Sequence, residues 1–324
     1  MILAYFKGLA RDAASGWPRF WFAPSTGHSL AILRIATGLM LAYIHAIWWL
    51  RAGEFFGPDA MIDREANRLI HQLDYTFSYL RATDAMSLLL VHQAAAVLVS
   101  LAVAAGLLAR FTAPLAWFMT LNVCHRATGY LFGLDQAVMM LAFSLAISPC
   151  GAVWGVDSLL RNRLLGRIRS GSWLDWLLPS AAPSSMNTFA TRLIQLQLCA
   201  MYLFGGLGKV RGAPWWDGTA IWLAAASWEY QSNDMTWVGR FPSLAAAMAH
   251  VTIFWETFYC VAIWPRWSRP IVLALAVAVH AGIGIFLGMV TFATIMVVAN
   301  IAFVPPDFMR RIWSGGRHSP SPAA

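Results

Sequence analysis

Residues 269–305 read RPIVLALAVAVHAGIGIFLGMVTFATIMVVANIAFVP, and after Arg269 they contain no Lys, Arg, Asp or Glu. About 20 predominantly apolar residues carry a helix across roughly 30 Å of hydrocarbon. The stretch therefore reads as two membrane spans, near 269–287 and 290–305. Working outward, similar runs lie near 30–50, 86–108, 111–125, 135–150, 189–208 and 242–264. The spacing predicts an all-α polytopic bundle of about eight transmembrane helices. The third, fourth and eighth runs are short, so they are expected to tilt little or to be partly enclosed by neighbours that satisfy their backbone.

The composition supports this reading. Of 324 residues, 59% are apolar and 12% charged, against roughly 45–50% and about 25% in an average soluble domain. Mean hydropathy is +0.59. These fractions exclude an ordinary soluble enzyme. The 23 Lys and Arg against 15 Asp and Glu are assigned to loop asymmetry, and no nucleic-acid partner is expected. The four cysteines, Cys124, Cys150, Cys199 and Cys260, form no CxxC pair, and the eight histidines form no HExxH or Cys/His cluster. No dithiol redox site and no metal are expected.

With the N-terminus inside, the cytoplasmic segments carry thirteen Lys and Arg and the opposite ones eight. Both termini are therefore expected to be cytoplasmic in a multi-pass protein of the cell membrane. Residues 1–28 mix Lys7, Arg11 and Arg19 with Trp17, Phe20, Trp21 and Phe22 and read as an interfacial segment of the mature chain. Residues 29–306 form the transmembrane domain, and 307–324 read as a polar disordered tail. Arg51–Thr83, with its Pro58-Asp59-Ala60, predicts an outer-face element, and Asp157–Asn187 a cytoplasmic surface helix and hinge.

Polar residues inside apolar runs need partners. Gln195, Tyr202 and Lys209 recur every seven residues, which places them on nearly one helix face. Phe204-Gly205-Gly206-Leu207-Gly208 precedes Lys209 and permits close approach of backbone or ligand. Lys209 has two readings. It snorkels to the outer interface beside Trp215 and Trp216, or it occupies a partly dry cavity as a neutral base. Glu256 lies halfway along the sixth run and must face protein or water. His280 is central in the seventh, as a structural hydrogen bonder or a site residue. Arg34 and Arg192, at inner ends of spans, snorkel or pair with acids. His45 lies eleven residues after Arg34 on roughly the same face, and Asp135 reads as an N-cap.

Leu193–Gly218, LIQLQLCAMYLFGGLGKVRGAPWWDG, resembles the signature of the horizontally transferred transmembrane (HTTM) family, which shares its membrane half with vitamin K-dependent gamma-carboxylase. Its most specific part is Tyr-x-x-x-Gly-x-x-Lys followed by Trp-x-x-Gly. Leu33-Arg34-Ile35 with Gly38, Ser148-Pro149-Cys150-Gly151, Val156-Asp157-Ser158, Glu256 and the His280 segment extend the resemblance over about residues 28–306. Leu134-Asp135-Gln136 stands where the carboxylase has a histidine-containing stretch, and no counterpart of its large lumenal domain is read here.

The resemblance implies a quinol-linked enzyme with a site facing the extracytoplasmic side. Lys209 would be the base that deprotonates a reduced vitamin K-like quinone, leading to an oxygenated intermediate that removes a proton from a peptide glutamate before carbon dioxide adds. His280 would line the site and Glu256 would partner the lysine, with Tyr202, Gly206, Trp215, Trp216 and Arg34 binding the quinol. The expected partners are membrane lipid, a peptide or protein substrate on the outer face, and an accessory subunit in place of the outer domain. A non-enzymatic accessory protein that binds lipid or peptide during peptide maturation or export is the alternative. A transporter is disfavoured because no inverted repeat is visible.

Overall fold

The computed structural model describes residues 2–57, 60, 62, 64–70, 76–82, 85–229 and 232–313. Among these, the chain forms sixteen α-helices: α1 (Ile2–Phe22), α2 (His28–Leu50), α3 (Ala52–Phe56), α4 (Arg64–Ile70), α5 (Met86–Ala105), α6 (Ala109–Arg126), α7 (Gly133–Ala146), α8 (Val156–Leu164), α9 (Trp173–Leu177), α10 (Ser185–Val210), α11 (Ala213–Trp216), α12 (Ala220–Ala226), α13 (Pro242–Ala262), α14 (Arg269–Phe286), α15 (Val290–Ala299) and α16 (Pro306–Trp313). The extended pairing among the described residues is a single antiparallel bridge, Ser25 to Ser184.

Five helices, α2, α5, α10, α13 and α14, are long and apolar enough to cross a membrane, and the number reaches six if the bent run Val290–Ile312 counts as one. This architecture is compatible with an integral membrane protein. Five or six such helices stand against the eight apolar runs of the sequence. All eight runs are helical, but α6 carries Arg110, Asn122, His125 and Arg126 among its 18 residues, α7 has 14 residues and α15 has 10.

Residues 307–313 of the segment read as a disordered tail belong to a helix, α16; this corrects the expectation there, and 314–324 lie outside the described residues. Part of the expected outer-face element, including Pro58 and Asp59, lies outside them as well. The Asp157–Asn187 segment does contain short helices, α8 and α9. Asp135 is also corrected. It is the third residue of α7 rather than the N-cap, and its carboxylate reaches back to accept from the Phe132 N–H at 3.0 Å, as an acid one turn into a helix can.

The chain divides into two compact units, one of 1–131, 138–193 and 304–324, the other of 132–137 and 194–303. In the first, α2 packs along α5, and α5 along α6. A Cβ at Gly38 would lie 2.5 Å from the Ala104 backbone nitrogen, so the glycine sets how closely α2 and α5 approach. Polar groups inside are matched: His45 is fully buried, with Nδ1 2.7 Å from Gln93 and Nε2 3.0 Å from Thr120. In the second unit, α13 packs against α11, α12 and α14, and α14 against α15. Pro214, Pro242 and Pro270 stand in the first turns of α11, α13 and α14, where a missing N–H costs nothing.

Candidate functional site

The second unit brings Lys209 and Glu256 together. Lys209 lies in the last turn of α10, Glu256 in the second half of α13, and Lys209 Nζ donates to Glu256 Oε2 at 2.6 Å. The glycines preceding the lysine make this approach possible. A Cβ on Gly206 would stand 2.6 Å from the backbone nitrogen of Thr257, and one on Gly205 would stand 3.3 Å from Glu256 Oε2. Any larger residue at 206 pushes α10 off α13.

The pair is sheltered but reachable, with side-chain exposures of 26% for Lys209 and 10% for Glu256. The Trp215 ring lies 5.3 Å from Nζ, within cation–π range. Both charged groups line a cavity of about 370 Å³ whose other walls come from α12, α13 and α14. Thr252 is the further polar lining residue. Ile221, Met248, Val251, Leu275, Ile283 and Phe286 supply an apolar surround. A volume in the range of about 300–1,000 Å³, with apolar walls and a few convergent polar groups, describes a small-molecule site.

Of the two readings of Lys209, the cavity is the one its surroundings resemble, with Glu256 beside it. A carboxylate at hydrogen-bond distance balances its charge, so the two residues act as one proton-holding unit. Lys209 retains donors beyond the one given to Glu256, and Glu256 has a second oxygen. Side by side, a donor and an acceptor match a ligand hydroxyl, which itself both donates and accepts.

His280 and Tyr202 lie in a separate, more deeply packed group of the same unit. His280 is 2% exposed and its Nδ1 donates to the Ala276 carbonyl at 2.8 Å. Its ring is 5.8 Å from that of Tyr202, 6.1 Å from Trp255 and 6.0 Å from Phe292. Tyr202 Oη accepts from Asn300 Nδ2 at 2.9 Å, while Tyr259 donates to Asn300 Oδ1 at 2.6 Å. Tyr202 and His280 are absent from the cavity lining. They support it from behind, through Trp255 and Tyr259 on the helix that carries Glu256. Gln195, on the same expected face, is occupied by the Ala302 carbonyl at 2.7 Å.

Of the two tryptophans, only Trp215 reaches the cavity. Trp216 is 49% exposed, and its indole N–H donates to the Val210 carbonyl at 2.7 Å, closing the end of α10. Arg34 belongs to the first unit and leaves the quinol-binding set. It is fully buried and donates to the carbonyls of Cys150, Val153 and Trp154 at 2.7, 3.1 and 2.6 Å. It neither snorkels nor forms an ion pair. Arg192 is also engaged inside the first unit, with Nε donating to the Phe20 carbonyl at 3.0 Å and its guanidinium 4.3 Å from that ring.

Sequence reasoning missed Thr252, Thr257, Tyr259 and Asn300. A signal existed for Asn300, the one amide in the stretch 290–303, and for Tyr259, three residues after Glu256. Among the described residues no three His, Cys, Asp or Glu side chains gather to hold a metal ion. The chain matches no family model, no curated protein and no solved structure, so the likeness to the HTTM family rests on the quoted residues alone.

Proposed function

We propose that this is a multi-pass cell-membrane protein, HTTM-like, in which Lys209 and Glu256 bind the hydroxyl of a lipophilic molecule and take its proton. The observation that carries the reading is a sheltered ammonium–carboxylate contact of 2.6 Å opening into an otherwise apolar cavity. A reduced quinone is the cofactor class the resemblance implies. The residues present fit it: the apolar walls accept its ring and tail, and the pair meets a phenolic hydroxyl with a donor and an acceptor. When bound, such a group supplies a weakly acidic O–H.

In this reading Glu256 Oε accepts the hydroxyl proton and the Lys209 ammonium stabilises the oxygen left behind. Water excluded by the apolar walls would otherwise compete for both groups. Lys209 therefore acts with Glu256 and not as a lone base, and Trp215 holds the ammonium in place. His280 and Tyr202 are positioning residues. The finer membrane reading belongs here as well: the eight apolar runs support eight crossing segments, and the Lys and Arg asymmetry supports cytoplasmic termini and a site that opens outward.

The test is quinol-dependent oxygen uptake by the purified protein in proteoliposomes, with Lys209→Met and Glu256→Gln beside wild type. Loss of uptake in both, with folding retained, is the expected result. Uptake by either variant at the wild-type rate overturns the proton-taking role.

A second reading, a non-enzymatic lipid- or peptide-binding accessory protein, is favoured by one observation. His280 is bonded to its own helix and stands away from the ion pair, so the three-residue catalytic set is not assembled around one cavity. Retention of an apolar ligand that depends on Lys209 and Glu256, without oxygen uptake by wild type, selects this reading.

A further inference from the structure

We propose that one face of the first unit is a binding surface for anionic phospholipid headgroups, independent of the Lys209–Glu256 site. Several chain segments converge to build it. The end of α1 is tied to the start of α10 by the Ser25–Ser184 bridge, by Asn187 Nδ2 donating to the Ser25 carbonyl at 2.9 Å, and by the Thr188 hydroxyl donating to the Ala23 carbonyl. A Cβ on Gly27, just before α2, would stand 3.5 Å from Val153, so the turn that leads into α8 lies against the same point. The ring of His28 is 5.2 Å from Trp154, and Ser29 donates to the Val304 carbonyl at 3.2 Å, which brings in the segment leading to α16. The Trp176 ring of α9 meets Phe111 of α6 at 5.4 Å.

These contacts gather the first turns of α2, α6 and α10, the first and last of them long and apolar enough to cross a membrane, with the short helices α8, α9 and α16 beside them. That is where hydrocarbon gives way to headgroups if the helices span a bilayer. The charges at this level are one-sided. Asp157 is buried and accepts the N–H groups of Leu108 and Ala109 at 2.7 and 2.8 Å. Asp175 is matched by Arg161 and Asp307 by Arg310. Arg19, Arg163, Arg167 and Arg169 are exposed, and no carboxylate among the described residues pairs with them.

Aromatic side chains stand among these cations. Trp17 is 67% exposed and Trp173 71%. Guanidinium groups interleaved with exposed indoles match a surface of phosphate above acyl chain: the arginines meet the phosphates and the indoles sit at the ester level. A neutral zwitterionic headgroup offers no net charge to this set, and the adjoining indoles lie beside short helices at the ends of long apolar ones, where the acyl ester level falls if those helices span a bilayer. Anionic phospholipid satisfies both.

The test uses the full chain in nanodiscs of equal phosphatidylcholine and phosphatidylglycerol, with native mass spectrometry of the lipids that stay bound. Preferential retention of phosphatidylglycerol is expected. It should fall about fivefold for each arginine removed in the series Arg163→Gln, Arg167→Gln and Arg169→Gln, and it should fall in wild type between 0.1 and 1 M salt. These arginines are exposed, so an unchanged melting temperature separates lost binding from lost folding. Equal retention of the two lipids by wild type overturns the proposal, and so does a preference that survives both the triple substitution and high salt.

Discussion

Arg34 and Lys209 are both cations placed within apolar helices, yet their surroundings are opposite. Arg34 is enclosed by backbone. A Cβ on Gly106 would lie 2.6 Å from its Nη1 and one on Gly155 2.9 Å, and Gly106 closes α5 with φ +66. No room remains there for a ligand. Its planar fork serves the carbonyls of the 150–154 turn, which carries Trp154 at φ +49, while Asp157 on the next helix receives the first N–H groups of α6. Lys209 instead meets a single carboxylate and borders a cavity. What distinguishes structure from chemistry here is the partner and the space beside the charge. Depth in the membrane does not.

The comparison breaks most sharply at Arg34. Arg34→Met removes the fork and leaves three buried carbonyls without donors, a loss of about 3–5 kcal/mol. Thermal unfolding in detergent should show little or no folded protein, and Arg34→Lys should recover only part, because an ammonium cannot reproduce the fork. A well-folded Arg34→Met would show that the knot is dispensable.

At Gly206, substitution by Ala drives a methyl group toward the Thr257 backbone and should cost about 1–3 kcal/mol through overpacking. It should also separate the ion pair, so ligand retention falls further than stability does. Equal losses of the two would make the glycine purely structural.

Glu256→Leu leaves an ammonium in an apolar cavity. It should lower stability by about 1–2 kcal/mol, a figure kept small because Lys209 is a quarter exposed. The double variant Lys209→Met/Glu256→Leu should regain that stability while remaining inactive. Arg34 has no comparable rescue, since its partners are carbonyls that no substitution removes. If the double variant stays as unstable as the single one, the pair belongs with Arg34 as scaffold.

The smallest effect concerns the surface turn between α8 and α9. The Gly171 N–H, and next the Arg161 guanidinium, hold the Asp175 carboxyl below the ordinary carboxylate range. An acid with a lowered folded pKa contributes stability that is present above the unfolded value of 3.8 and lost as pH falls through the folded one. Limited proteolysis within 164–184 should therefore accelerate only below about pH 4 in wild type, whereas Asp175→Asn should be cut at a pH-independent rate.

The sequence by itself determined the helical class, the approximate ends of the long helices and the polar residues that needed partners. Apolar run length and isolated charges are local properties that one chain displays directly. Lys209 and Glu256 were each visible in this way, as residues that a membrane interior does not tolerate alone. Their direct contact across 47 positions was decided by tertiary structure, through two glycines that let α10 close on α13.

The same holds in reverse for Arg34, whose acceptors are main-chain carbonyls. Every residue has a carbonyl, so nothing in the side-chain pattern of 150–154 announces that it will bind a guanidinium. The placement of His280 behind Trp255 and Tyr202 was likewise a matter of packing. A histidine's neighbours on other helices are set by how those helices cross, and the spacing along its own helix carries no record of that.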